Sequence, residues 1–298
     1  LGEIVFMQDE HAEATSTLLQ VRDLFLKIGD RAGAARCSAR LGDNLRMQDK
    51  HSEAATVLKD AQAQFFKLGD RPGATRCLWR LGEILHMQSK YSEATAIFTN
   101  TRTEALKIGD RLGTAQCSQS LGNNLKMQSE YSEATAVLTD TRVQYLDIGD
   151  PLGATQCLWS LGDILSMQSN YSEAAAILIN SRAEFIEIGS RLGAAQCSRD
   201  LGDNLRMQSE YPEATAVLTD ARTQFLQINN RLGEAQCAQS LGRIFLAQDK
   251  SPEGENLLMH ARDQFLDIGH EDEAAECSEL LKECTDDSDD EESTETSS

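Results

Sequence analysis

At 298 residues, with 48 acidic against 28 basic side chains, the chain carries a formal charge of −20. That balance disfavours broad contact with nucleic acid or an anionic membrane surface, because a phosphate backbone needs clustered Lys and Arg. Hydrophobic residues reach 40% while aromatics are only 5%, a composition for close-packed helices, and no uninterrupted apolar run approaches the roughly 20 residues of a membrane span.

The organisation is periodic. Leu-Gly stands at Leu1, Leu41, Leu81, Leu121, Leu161, Leu201 and Leu241, a step of 40 residues without a gap. Cysteine keeps that step from Cys37 to Cys277, and glutamate keeps it from Glu13 to Glu253. An unbroken period of this kind means one unit stacked on its neighbours. The opening residues Leu1-Gly2-Glu3-Ile4 fall in mid-helix by this register, so the chain reads as part of a longer protein.

Within the unit 31–70, the first helix is predicted from about Arg31 to Gln48, with Ala34, Cys37, Leu41 and Leu45 on one face. The second is predicted from about Ser52 to Leu68, its apolar face made by Ala54, Val57, Leu58, Ala61, Phe65 and Leu68. Gly29, Gly69, Gly109, Gly149, Gly189 and Gly269, with Asn229 as the exception, stand where a helix end takes positive φ. Asp30, Asp70, Asp110 and Asp150 are placed to cap the next helix. Pro72, Pro151, Pro212 and Pro252 all fall in predicted first turns, where a missing N–H does least harm. Superposed on the 40-residue step is one of 80: Ser38 and Asn44 recur as Ser118 and Asn124 and as Ser198 and Asn204, while Leu78, Trp79 and Ile84 recur as Leu158, Trp159 and Ile164. Contacts between repeats are therefore expected to alternate between more polar and more apolar.

The residues Leu121-Gly122-Asn123-Asn124-Leu125, Tyr131-Ser132-Glu133-Ala134 and Ala136-Val137-Leu138 resemble the tetratricopeptide-repeat (TPR) pattern. The longer unit, with Ile-Gly-Asp leading into Leu-Gly-Asn, is similar to the repeats of Pins/LGN-type cell-polarity adaptors and to the TPR arrays of fungal NOD-like receptor proteins. The resemblance covers residues 1–284 and implies an all-α fold: a right-handed α-solenoid of about seven helix pairs, closed by a C-terminal capping helix. It also implies that the first helix of each pair lines a concave groove. Carried onto this chain, the inward positions are Arg36, Arg40, Asp43 and Arg46, then Arg76, Trp79, Arg80 and Glu83, with His86 beyond. Next come Gln119, Asn123 and Lys126, then Trp159 and Asp163, then Arg199, Asp203 and Arg206. An inner wall that begins with five arginines is unexpected in so acidic a chain. It points to an extended, acidic or carboxylate-bearing peptide, with Trp79 and Trp159 as apolar contacts. The competing reading packs both Trp between helices and pairs the Arg locally with Asp and Glu. The Lys/Asn clamp of chaperone-binding TPRs is not matched as a set, since Asn123 has no Lys partner at the expected offset.

Chemistry finds no foothold. Equivalent cysteines on neighbouring helices should lie ~8–10 Å apart, beyond disulfide reach, and no Cys-x-x-Cys or Cys/His cluster is present. They read as small buried thiols of a cytoplasmic protein, with Cys284 the exposed one. The five histidines lie without a carboxylate or nucleophile at catalytic spacing. Neither an enzyme nor any cofactor or metal is expected. The last helix carries Glu271, Asp272, Glu273, Glu276, Glu279 and Glu283 over the face a further repeat would bury. Residues 285–298, with Asp286-Asp287-Ser288-Asp289-Asp290-Glu291-Glu292, read as an acidic disordered tail. The expected partner is a protein or extended peptide. The alternative is a structural module that self-associates through its repeat ends or the acidic tail, its groove unoccupied.

Overall fold

The computed structural model describes residues 2–248 and 250–295, and the side chains of residues 11–248, 250 and 252–283. Among the described residues the regular elements are all helices. In chain order they are α1 (Gly2–Lys27), α2 (Arg31–Met47), α3 (His51–Lys67), α4 (Arg71–Met87), α5 (Tyr91–Lys107), α6 (Arg111–Met127) and α7 (Tyr131–Ile148). There follow α8 (Pro151–Met167), α9 (Tyr171–Ile188), α10 (Arg191–Met207), α11 (Tyr211–Gln227), α12 (Arg231–Leu246), α13 (Ser251–Ile268) and α14 (Glu271–Glu295). Even-numbered helices are the first of each repeat and odd-numbered ones the second.

Local chemistry sets these limits. Asp30, Asp70, Asp110 and Asp150 accept hydrogen bonds from the N–H of Gly33, Gly73, Gly113 and Gly153 at 2.8–3.0 Å. Asn230 caps α12 in the same way, through the N–H of Gly233. Positive φ occurs at the six expected glycines and at Asn229. It also occurs at Asp49, Ser89, Ser129, Ser169 and Ser209, at φ 56–62°, where the sequence signals only a polar turn. At the first of these, Lys50 N–H bonds Leu45 O at 3.0 Å and Asp49 N–H bonds Arg46 O at 3.1 Å. This paired closure satisfies two carbonyls of the helix end and holds a non-glycine residue in the left-handed region.

Contacts divide the chain into two compact units, Gly2–Ser160 and Leu161–Ser298, the boundary falling inside α8. The first unit is a stack of helix pairs, an α-solenoid segment. Its core interleaves Leu41 and Leu45 of α2, Leu58, Ala61 and Phe65 of α3, and Cys77, Leu81 and Ile84 of α4. Volume is conserved across repeats. Where the second helix carries Leu58 and Phe65, α5 carries Phe98 and Ala105, both fully buried, so the ring moves seven positions and the site stays filled. The polar-apolar alternation has a physical form here. Asn124 is buried, and its side chain is bonded to His86 Nδ1 at 2.9 Å, Tyr91 O at 2.8 Å and Thr95 Oγ1 at 2.7 Å. Asn44 is bonded likewise to His11 and Thr15. Between them in the series, Ile84 fills the same position as a buried apolar side chain.

The second unit repeats the plan. Ala214, Leu218, Ala221 and Phe225 of α11 pack on Cys237, Leu241 and Ile244 of α12, and Asn204 donates to Ser166 Oγ at 2.9 Å. It also buries an acid: Glu234 is only 3% exposed, and accepts from Arg222 Nε at 2.6 Å and faces His260 Nε2 at 2.9 Å. The last helix runs through Glu295, into the stretch expected to be a disordered tail. That stretch holds no Pro or Gly to stop a helix. Residues 296–298, and the expectation of an exposed Cys284 thiol, lie outside what is described.

The repeat cysteines, Cys37 to Cys277, are free and buried. Burial pushes the thiols of Cys77, Cys117, Cys157 and Cys237 up to about 12 and that of Cys277 to about 11, with Cys197 moved in the same direction. Since thiolate is the reactive form, these six positions should stay unmodified by a thiol reagent at pH 8 in the native protein and react fully once it is unfolded. Mass spectrometry locating label on any of them in folded protein would contradict this burial.

The Leu-Gly glycines mark close approach. A Cβ at Gly122 would lie 2.6 Å from Leu138 Cγ, and Leu138 is wholly buried, so the neighbour has no room to yield. Overpacking of ~1–3 kcal/mol should outweigh the ~1 kcal/mol that Ala gains over Gly in a helix. Gly122→Ala is therefore expected to lower the urea midpoint, corresponding to a net loss of about 1 kcal/mol; a raised midpoint would show that the helices are not held at this distance by contact.

Candidate functional site

The even-numbered helices carry the positions expected to line a groove, and their side chains fall into two regimes. In the first unit, an open cavity of about 460 Å³ is lined by Arg36, Arg40 and Asp43 of α2 and by Arg76 and Arg80 of α4, over a floor that includes Leu58, Phe65 and Cys77. A second hollow of about 540 Å³ shares Arg40 and Asp43 and extends to Glu13 and Leu18 of α1. Arg80 Nε lies 2.9 Å from Asp43, tying α4 to α2. Arg36, Arg40 and Arg76, by contrast, form no ion pair or hydrogen bond among the described residues. Three guanidiniums thus face one cavity with their donors uncommitted.

Trp79 is built in beside them. Arg80 stacks over its ring, 4.5 Å from the centroid. Its indole N–H donates to Ser120 Oγ at 2.9 Å, and the Ser120 hydroxyl donates to Glu83 at 2.7 Å. This relay, from α4 to α6 and back, fixes the ring plane and consumes Glu83, so the acid does not compete for the nearby arginines. Arg76 and Trp79 also share a narrow cleft with Leu112, Gln116 and Cys117 of α6. Ser120 belongs to no expected site. Its one signal was position, four residues before Asn124 on the same helix.

The remaining expected residues of the first unit are differently placed. Arg46 reaches only sulfur, with Met87 Sδ at 3.6 Å. Gln119 is engaged on both sides, donating to Gln156 at 3.2 Å and accepting from the Tyr145 hydroxyl at 2.8 Å. Asn123 Oδ1 is buried without a hydrogen-bond partner among the described residues. Lys126 and Trp159 each have a partner within the fold, as does Asp163 of the second unit.

In the second unit the arginines are neutralised. Arg199 is bound to Asp200 at 2.7 Å and also donates to Gln236. Arg206 lies 3.5 Å from Asp203, which accepts from Ser240 at 2.7 Å, and Arg243 pairs with Glu276. Burial raises the Asp203 carboxyl above its ordinary range, while the Ser240 hydroxyl and Arg206 pull it down. Local pairing with acids thus accounts for Arg199, Arg206 and Arg243 of the second unit and for Arg80 of the first, whereas Arg36, Arg40 and Arg76 form no ion pair among the described residues. Among the described residues no group of three or more His, Cys, Asp or Glu gathers to hold a metal, and none of the helices is long and apolar enough to cross a membrane.

No protein-family model matches the chain, and no curated protein matches it in sequence. Solved structures do match in shape. RapI in its apo form aligns over 89% of this chain and 96% of its own, with 14% identity and a TM-score of 0.69. A STAND signal-transduction ATPase with a tetratricopeptide-repeat sensor, from Pyrococcus horikoshii, aligns over 94% of this chain and 45% of its own, at 14% identity and a TM-score of 0.69. The Rap conjugation gene regulator of plasmid pLS20, in complex with the Phr* peptide, aligns over 86% and 76%, at 14% identity and a TM-score of 0.61. At these identities the likeness is one of fold. The chain has the fold of a TPR-like array of helix pairs.

The uncommitted guanidiniums have a measurable consequence. With Trp159→Phe leaving Trp79 as the single indole, iodide should quench its emission more strongly than caesium at low ionic strength. The gap should narrow as salt screens the field over a Debye length of ~10 Å at 0.1 M. Equal quenching by both ions at low salt would mean that the cavity carries no net positive field.

Proposed function

We propose that the chain is a non-enzymatic protein-interaction scaffold that holds an extended, acidic peptide against α2 and α4 of its first unit. The observation that carries this reading is the contrast within one repeat series: Arg36, Arg40 and Arg76 face a cavity unpaired, whereas Arg199, Arg206 and Arg243 are each matched to an acid. A guanidinium presents a planar fork that suits a carboxylate bidentately, and such charge-assisted bonds are about twice as strong as neutral ones. The apolar floor and the fixed Trp79 ring supply contact area alongside that charge. Of the similar structures, the regulator of plasmid pLS20 was solved with a peptide and another Rap protein with Competence and Sporulation Factor, which supports a peptide as the kind of partner. Free buried thiols suit a reducing compartment, so the proposal includes a cytoplasmic setting.

The test is fluorescence anisotropy with a labelled glutamate-rich peptide and a lysine-rich one of equal length. Binding of the acidic peptide alone is expected, weakening with salt. Arg36→Glu with Arg76→Glu should reduce its affinity by at least about tenfold, because two charge-assisted contacts are replaced by repulsion. Arg199→Glu with Arg206→Glu should leave it nearly unchanged. Equal loss in both double variants, or binding of the lysine-rich peptide instead, would refute the assignment.

A further inference from the structure

Three hollows of the first unit run into one another through shared side chains. The hollow that reaches Glu13 and Leu18 of α1 shares Arg40 and Asp43 with the arginine cavity, and that cavity shares Arg76 with the cleft beside Trp79. Every lining residue falls between positions 13 and 117, so the whole path belongs to one compact unit. Charge is unevenly spread along it. In the middle Arg80 and Asp43 offset each other at 2.9 Å, which leaves Arg36, Arg40 and Arg76 as three uncompensated cations. On either side the lining turns acidic. Glu13 stands in the first hollow and Asp110 in the last cleft, where its carboxylate is fixed by the N–H of Gly113 at 2.8 Å.

Acidic residues beyond the middle of a ligand would face Glu13 or Asp110, so the path gives most to a ligand whose negative charge is concentrated at one point. A carboxylate has two oxygens and one charge, and a single guanidinium fork satisfies it. A phosphate monoester carries about −1.5 to −2 charges near neutral pH and three strong acceptor oxygens. It can therefore engage three guanidiniums at once. We propose that the arginine cavity takes a phosphorylated side chain of an extended peptide, whose neighbouring residues lie in the hollows toward α1 and α6. This rests on the peptide-holding reading given above and names the group that the site recognises. Continuation of the cavity on both sides points to a chain, since free phosphate or a small phosphate ester would end within it. The buried Leu58, Phe65 and Cys77 of the floor exclude water from one side of the contact, where a lower local dielectric strengthens charge-assisted bonds.

The experiment is fluorescence anisotropy on the full chain with three labelled peptides of one neutral sequence, differing only in a central serine, glutamate or phosphoserine. At about pH 7.5 the phosphoserine peptide should bind at least about tenfold more tightly than the glutamate peptide, and the serine peptide most weakly. Lowering the pH to about 5.5 protonates the phosphate through its second pKa of about 6, while glutamate, with an ordinary pKa of about 4.3, stays ionised. The phosphoserine advantage should therefore shrink severalfold. Arg36→Gln with Arg76→Gln alters exposed side chains only, so the chain should stay folded by circular dichroism and lose that advantage. Inorganic phosphate at the concentration of the peptide should displace little of it. Equal binding of the glutamate and phosphoserine peptides would overturn the phosphate assignment and leave the acidic-peptide reading standing. Binding of neither, with the glutamate-rich peptide also failing, would remove both. An advantage that survives in the double variant, or full displacement by inorganic phosphate, would also overturn the assignment.

Discussion

The distance between a glycine and a leucine governs this molecule. Gly42, Gly122 and Gly202, first helices all, sit where a Cβ would come within 2.5–2.6 Å of the Cγ of Leu58, Leu138 and Leu218 on the following helix. With only hydrogen at that point, the leucine side chain of the second helix takes the space that a Cβ would occupy on the first. Around it the small residues Ala35, Ala54 and Ala61 are buried together with Leu41, Leu45 and Phe65, in a cluster that also takes in Cys77, Leu81 and Ile84 of the next pair. A pair this thin cannot enclose a core of its own. It must bury its remaining faces on the next pair, which is why the unit propagates. Where the glycine meets Phe98 instead of leucine, the compensation is internal, through Ala105 about two turns further along the same helix.

Most of this was legible before any coordinates. Periodicity, caps and prolines are local signals, and local signals locate helix ends: α2 and α3 begin and end within a residue or so of the expected limits. The glycines at positive φ were legible for the same reason, because a helix end that turns left-handed admits few other residues. Asp49 and the serines at the equivalent turns were not, since Ser in a polar turn has many conformations open to it. What selects the left-handed one is the pair of backbone bonds back to Arg46 and Leu45. The extension of α14 through Glu295 escaped notice because composition argues against a buried core, not against a helical backbone.

The site was only half legible. That Arg36, Arg40, Arg76 and Arg80 share one wall follows from repeat register, and they do line one cavity. Which of them are free does not follow from register, because a pairing acid can stand 33–37 positions away. Asp43 claims Arg80 across 37 residues and Glu276 claims Arg243 across 33. Arg199 and Arg206 were the exceptions, with Asp200 one residue and Asp203 three residues away in sequence. The Trp79–Ser120–Glu83 relay was out of reach for a different reason. A serine carries little information until the indole that it accepts from is in place.

One consequence of building by repetition is that positions which do not touch the glycine–leucine contact are free to diverge without cost to the fold. Three such rows have diverged here, and each in its own way. At the position of Asn124 and Ile84 the change alternates from repeat to repeat, with a satisfied polar network in one and a buried aliphatic in the next. Along the even-numbered helices the arginines persist while their acids accumulate in the second unit, so that Arg36, Arg40 and Arg76 are unpaired among the described residues and Arg199 and Arg206 are paired. After the exposed apolar residue near the end of each odd-numbered helix, lysine at positions 27, 67 and 107 gives way to Glu187 and Asp267 in the same direction. The two gradients run parallel along the chain although they lie on different helices. A chain with a net charge of −20 thereby gathers its uncompensated positive charge in the first unit, on both sets of helices.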